Sequence, residues 1–119
     1  MSRLTTHLGR AREFKRAAEH VDYPGAKVQM WFLSAFHFIE ACAAKQRQHI
    51  QKPEGIPDEL ERNPAILGSD SGRIAKAFHY LEHEARAKFV YADSGSRADL
   101  ERALGSFMLI ESTCEAILR

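Results

Sequence analysis

The polar side chains best suited to chemistry lie on one predicted helix, within the segment FHYLEHEARAKFVY. His79, His83 and Arg86 recur at helical spacing, which places them within about 60° of one another on an ideal helix. Imidazole and guanidinium groups side by side favour binding of a phosphate, or acid–base chemistry on it. The plainer interpretation is a solvated helix face on which Glu82 and Arg86 form an ion pair.

A second pair, His37 and Glu40, falls on one side of the most apolar predicted helix. A histidine among apolar residues is commonly a core residue with a hydrogen-bond partner, and we expect this of His37. Metal binding is the alternative, but di-metal bundles use the opposite order, Glu-x-x-His. The string His79-x-x-Glu82-His83 lacks the protease context in which it binds zinc. The sequence therefore predicts no metal ligand and no cofactor.

Composition indicates one folded domain. The 119 residues are 45% hydrophobic, which is enough for a single core. Lys and Arg total 17 against 16 Asp and Glu, a balance that argues against binding nucleic acid by bulk charge. The most apolar stretch, residues 30–44, is shorter than the roughly 20 residues that cross a bilayer. With no secretory pattern at the N-terminus, we expect a soluble cytoplasmic protein in which Cys42 and Cys114 are buried free thiols.

Apolar residues at three- and four-residue spacing predict four helices and no strands. Ser96 and Asp99 are typical of a capping box at the start of the last helix. The segment 51–72 is rich in Pro and Gly, which predicts a long loop that either connects two helices or walls a site. The predicted fold is all-α, an antiparallel four-helix up-and-down bundle with that loop between helices two and three. The predicted helices cover residues 3–21, 26–48 and 71–91, and the chain from 96 onwards.

This pattern resembles the HEPN family of small helical domains, named for nucleotide binding in higher eukaryotes and prokaryotes. The resemblance covers most of the chain. Its strongest parts are AKVQMWFLSAFHFIEACAAK, similar to the family's aromatic-rich second helix, and FHYLEHEARAKFVYAD, similar to its acidic–arginine–tyrosine helix. The resemblance implies a homodimer that binds a nucleotide or RNA, in some members beside a small nucleotidyltransferase partner.

The family's ribonucleases carry an Arg-x4–6-His motif. Arg86 aligns with that arginine, but Tyr91 stands where the histidine is expected. Arg73 and His79 have the required spacing earlier in the helix. On an ideal helix the members of either pair lie more than about 100° apart, so a frayed helix end or a second subunit would have to bring them together.

We therefore expect a non-catalytic module that binds a nucleotide, RNA or protein partner through His79, His83, Arg86 and Tyr91. One alternative is a metal-independent ribonuclease of the toxin–antitoxin kind, which would use Arg73, His79, His83 or Arg86. The other is a purely structural interaction protein with an exposed apolar patch.

Overall fold

The computed structural model describes residues 2–119, which contain five α-helices and no strand. The all-α prediction is confirmed. None of these helices combines the length and apolar character that a bilayer-crossing segment requires. The helices are α1 (Arg3–Glu19), α2 (Pro24–Lys45), α3 (Ile56–Arg62), α4 (Ser71–His79) and α5 (Arg97–Leu118).

Local chemistry explains where three of these helices begin. The Ser2 hydroxyl accepts a hydrogen bond from the Thr5 backbone N–H and caps α1. Pro24 opens α2, at a position where its missing N–H costs nothing. Ser96 and Asp99 form the expected capping box at α5, each side chain accepting a hydrogen bond from the other residue's backbone N–H.

Helix α2 is the centre of the fold, because it is buried on most of its faces. Phe32 packs on Phe78 of α4, with ring centroids 5.5 Å apart. On another side, Trp31 and Phe38 both pack on Phe107 of α5. Helix α1 covers a third side. The other long segments therefore pack around this helix.

The pattern of contacts gives the directions of the helices around α2. Ser34 of α2 donates to the Ala11 carbonyl at 2.6 Å, and Lys27 donates to the Ala18 carbonyl, so α1 and α2 are antiparallel. Cys42 and Lys45 of α2 donate to carbonyls late in α5, whereas Phe38 meets the middle of α5. Helices α2 and α5 therefore run in the same direction.

Both cysteines are buried and free, as expected. Cys42 donates a weak hydrogen bond to the Cys114 carbonyl, with its sulfur 3.8 Å from the oxygen. A hydrogen bond with Cys42, followed by burial, raises the pKa of the Cys114 thiol well above its usual range. The Cys114 thiol is therefore a poor nucleophile near neutral pH.

The segment 51–72 is more ordered than a plain loop. It contains α3 and two 3₁₀ turns, Pro53–Gly55 and Gly68–Asp70. The predicted long connection between two long helices is present, but it is less irregular than expected, since apolar side chains tie the segment to the same core as the long helices. The buried side chains are Ile56, Leu60, Ile66 and Leu67.

Helix α4 does not continue to Tyr91 as a regular α-helix. It widens into two π-helical segments, Tyr80–Ala85 and Ala87–Tyr91, whose hydrogen bonds span five residues instead of four. We call residues 80–91, which include Arg86 between the two π-helical parts, the wide segment. It lies close to the start of α2, since a Cβ at Gly25 would stand 2.6 Å from the Phe89 carbonyl oxygen. Such segments are rare and often occur at functional sites.

Candidate functional site

Arg86 lies half-buried on the wide segment and is held from three directions. Its Nε donates to the Gln29 side-chain oxygen at 3.2 Å, and one terminal nitrogen donates to the Tyr91 hydroxyl at 3.1 Å. The guanidinium carbon lies 4.1 Å from the centroid of the Phe32 ring, in cation–π contact. Two residues of α2 and one of the wide segment therefore fix the orientation of the charge.

No carboxylate forms an ion pair with Arg86 among residues 2–119. The ion pair expected between Glu82 and Arg86 is absent from this set, and that expectation is wrong. The buried Glu82 carboxylate instead lies 3.1 Å from Nε2 of His83. Within residues 2–119 the Arg86 guanidinium hydrogen-bonds only neutral acceptors, Gln29 and Tyr91, so its charge has no anionic partner there and some of its five N–H donors remain available.

The proximity of Arg86 to Tyr91 depends on the π-helical geometry. On an ideal α-helix residues five apart point in different directions, which is why the sequence predicted a wide separation. In a π-helix residues i and i+5 are joined by one turn, so the two side chains stack above each other. The need for a second subunit to bring these two residues together is therefore removed. Tyr91 remains 73% exposed.

His79 and His83 form a separate pair. Both are exposed, and their ring centroids lie 4.7 Å apart. No hydrogen bond or ring contact joins them to Arg86 within the described part of the chain. The predicted stripe of His79, His83 and Arg86 is thus divided, because the wide helix turns Arg86 toward α2.

His79 lines a shallow groove between α4 and α5, about 370 Å³ in volume. Lys76 and Arg102 line the same groove, with Glu84 as its acidic member. Arg102 stacks on the Tyr80 ring with its guanidinium carbon 4.1 Å from the centroid. Lys76 and Arg102 were missed in the sequence, because they lie on different helices and share no motif.

Arg73 is remote from the arrangement around Arg86. Its guanidinium pairs with the Asp70 carboxylate at 2.7 Å in an exposed i,i+3 contact. Six residues separate it from His79, which is about 9 Å along a helix axis. Its charge is already compensated, and no contact links it to His79 or His83 in residues 2–119.

A third polar cluster lies between α1 and α2 and consists of His7, His37 and Glu40. The sequence analysis identified His37 and Glu40 but not His7. Nδ1 of His7 faces Nδ1 of His37 at 3.1 Å. The Glu40 carboxylate lies 3.2 Å from Nε2 of His7 and 3.3 Å from Nδ1 of His37. The Glu40 side chain is 4% exposed, and those of His7 and His37 are 10% and 13% exposed. His7 was missed because it is distant in sequence and looks like a surface residue of α1.

Burial is the main influence on His7. It lowers the pKa of this imidazole, while the Glu40 carboxylate acts in the opposite direction and His37 adds to the lowering. The ring of His37 stacks on Phe14 at 5.7 Å, nearly parallel. The expectation that His37 is a histidine with a hydrogen-bond partner is confirmed, and the partners are a second imidazole and a carboxylate.

The chemistry of these three places follows from their own side chains. Arg86 and Tyr91 offer an oriented cation beside an exposed ring, the groove at His79 offers three basic groups, and the His7 cluster offers nitrogen and oxygen lone pairs. No protein-family model, no curated protein and no solved structure matches this chain.

Proposed function

We propose that this chain is a HEPN-like, non-catalytic helical module that binds a nucleotide through its phosphate at Arg86 and its base at Tyr91. One observation carries the proposal. A guanidinium is oriented by Gln29 and Phe32, has no carboxylate partner in residues 2–119, and lies beside an exposed aromatic ring.

The arrangement around Arg86 fits a phosphate better than it fits a carbonyl or a hydroxyl. Guanidinium donors match the spacing of phosphate oxygens, and the charge strengthens each hydrogen bond. Because Gln29 and Phe32 already hold the side chain, little conformational entropy is lost when an anion binds. The Tyr91 ring is exposed and offers a face on which a base stacks.

The helix directions support the HEPN-like fold. Gln29 meets Arg86 and Gly25 meets Phe89, whereas the later Phe32 meets the earlier Phe78, so the α4 segment is antiparallel to α2. Since α1 is also antiparallel to α2, we assign the four long helical segments to an up-and-down bundle, with α3 as an addition to its end.

The resemblance of the sequence to the HEPN family leads us to propose that the protein forms a homodimer and has a small nucleotidyltransferase as a partner. Exposed Tyr91 is the side chain in the candidate site most accessible to a partner. Light scattering on the pure protein tests the dimer, and its repetition with Tyr91→Ala tests whether this residue contributes to the interface.

Calorimetric titration with ATP, AMP and inorganic phosphate, all in EDTA, tests the nucleotide site. Loss of one charge-assisted contact costs about 1.5–3 kcal/mol, so Arg86→Ala should weaken nucleotide binding by about 10- to 150-fold. Arg102→Ala is the matched control, since Arg102 also stacks on an aromatic ring at 4.1 Å but lies on α5. Equal loss in both variants, or loss only in Arg102→Ala, would contradict the proposed site.

Variants of Tyr91 distinguish base stacking from phosphate binding in the proposed nucleotide site. Tyr91→Phe keeps the ring and removes the hydroxyl, so it should preserve most of the nucleotide affinity. Tyr91→Ala should weaken ATP more than inorganic phosphate, because only ATP has a base to stack. The same loss for both probes would show that the ring does not contact a base.

The second candidate is a structural interaction protein, and one observation favours it. Leu104 and Met108 are 39% and 54% exposed and lie one turn apart on α5. They border a groove of about 340 Å³ that also includes Trp31 and Phe107. Under this alternative, Met108→Ser changes the oligomeric state in light scattering, while no nucleotide produces heat in the titration.

A further inference from the structure

We propose that His7, His37 and Glu40 form a binding site for one divalent transition-metal ion, with Zn²⁺ as the ion that fits best. This site is separate from the nucleotide site at Arg86 and does not depend on it. Two of the three residues are on α2 at i,i+3 spacing, and the third is supplied by α1.

The separations between the three side chains suit tetrahedral coordination. Zinc lies about 2.0–2.2 Å from histidine nitrogen and carboxylate oxygen, so neighbouring ligand atoms on a tetrahedron are about 3.3–3.5 Å apart. Nδ1 of His37 lies 3.1 Å from Nδ1 of His7 and 3.3 Å from Oε1 of Glu40, whereas the 3.2 Å contact between His7 and Glu40 joins Nε2 to Oε2. All three residues offer ligand atoms that lie within 4.8 Å of one another. Because one nitrogen of His7 faces His37 and the other faces Glu40, the His7 ring must turn for a single nitrogen to bind the same ion as both partners.

The donor set selects the ion. Two imidazoles and one carboxylate are a common ligand set for zinc with an open fourth position, whereas Mg²⁺ and Ca²⁺ prefer oxygen ligands. A neutral pair of facing imidazoles holds a proton on one of the two nitrogens. Metal binding requires that imidazole to change tautomer, so that its proton moves to the other ring nitrogen and the facing lone pair becomes available, with no net loss of a proton from the neutral pair.

Access and shielding are both present at the cluster. A groove of about 490 Å³ reaches His37 from solvent, between Arg10 and Glu13 of α1 and Met30 of α2. The groove is lined by His37 but not by His7 or Glu40, so it brings solvent to the His37 edge of the cluster. Phe14 and Phe36 lie against the His37 ring at 5.7 and 5.5 Å, and such an apolar surround restrains the imidazole and limits solvent access.

The exposed pair of His79 and His83 is the competing metal site and gives the matched control. Its rings lie 4.7 Å apart at i,i+4 spacing, as in surface sites that capture metal. The test is titration of EDTA-stripped protein with Zn²⁺ followed by native mass spectrometry, and with Co²⁺ followed by its visible absorption. The variants are Glu40→Gln, His37→Ala and the double change His79→Ala with His83→Ala.

The proposal predicts one tightly bound Zn²⁺ per chain and a tetrahedral Co²⁺ spectrum in the parent protein. The change at His79 and His83 should leave both unchanged. Glu40→Gln should weaken Zn²⁺ binding by at least about tenfold, the size of effect typical of a removed ligand or its support. His37→Ala should abolish the Co²⁺ spectrum, and circular dichroism without metal checks that each variant is folded.

Three outcomes overturn the proposal. The first is no bound Zn²⁺ in the parent protein, which would leave the trio as a hydrogen-bonded core network. The second is loss of binding only when His79 and His83 are changed. The third is unchanged Co²⁺ absorption in a folded Glu40→Gln or His37→Ala variant. Nucleotide binding in EDTA is measured separately, so failure here leaves the proposal for Arg86 untouched.

Discussion

Replacing Gly25 by alanine tests the contact that sets the position of the wide helical segment. The added Cβ would lie 2.6 Å from the Phe89 carbonyl oxygen and 2.7 Å from a ring carbon of Tyr23. Tyr23 is exposed and its side chain can move away. The Phe89 oxygen is part of the backbone, so α2 and the wide segment must separate.

The expected cost follows from this overlap. Forcing one extra carbon into a packed contact typically destabilises a protein by about 1–3 kcal/mol. With an unfolding entropy of about 2.1 cal/mol/K per residue, a chain of 119 residues loses about 4 °C in Tm per kcal/mol. Gly25→Ala should therefore lower Tm by about 4–12 °C. It should also weaken nucleotide binding, because Arg86 is on the displaced segment.

Thermal unfolding followed by circular dichroism measures the effect, and Gly105→Ala is the control. A Cβ at Gly105 in α5 meets nothing within 4 Å, so alanine there should raise stability by about 0.4–1 kcal/mol. Equal Tm values for Gly25→Ala and the parent protein would refute the close approach of α2 to the wide segment.

Three further predictions concern the α5 cap, its pH dependence and catalysis. Ser96→Ala removes the hydroxyl of the capping box and should cost about 0.5–2 kcal/mol of unfolding free energy in urea titrations. Hydrogen bonds from the backbone of Ser96, then from Lys88 and the Ser96 hydroxyl, lower the pKa of Asp99 to about 2. The stabilisation by the Asp99 carboxylate is therefore complete above its unfolded pKa and is lost as pH falls through about 2. Asp99→Asn should accordingly be less stable than the parent at neutral pH, and the difference in unfolding free energy should shrink in acid. A difference that stayed constant with pH would contradict the stabilising role of the Asp99 carboxylate. Pure protein in EDTA should not cleave single-stranded RNA, since no histidine contacts Arg86 in residues 2–119; cleavage abolished by His79→Ala would restore the ribonuclease alternative.

The main helices were predictable because their signals are local. Apolar spacing marks α1, α2 and α5, and the capping box at Ser96 and Asp99 needs only four consecutive residues. The central position of α2 also follows from its sequence, since a helix that is apolar on most faces must be covered on most faces.

The features missed depend on contacts between distant segments. The apolar spacing of residues 71–91 does not predict a change to a π-helix. This change turns Arg86 away from His83 and brings it to Tyr91. The order in segment 51–72 comes from apolar residues that find the core only in the folded chain. His7 joins His37 and Glu40 only because α1 and α2 are antiparallel. Pairing across helices was not visible in either sequence stretch alone.

The most direct test of nucleotide binding at Arg86 is an NMR titration with ATP in EDTA that follows the arginine Nε–H resonances. Arg86 should be distinct in the free protein, because its guanidinium lies over the Phe32 ring and its Nε–H donates to Gln29. The proposal predicts that the Arg86 resonance shifts saturably while that of Arg102, over Tyr80, does not. A fixed Arg86 resonance throughout the titration, or movement of Arg102 alone, would contradict it.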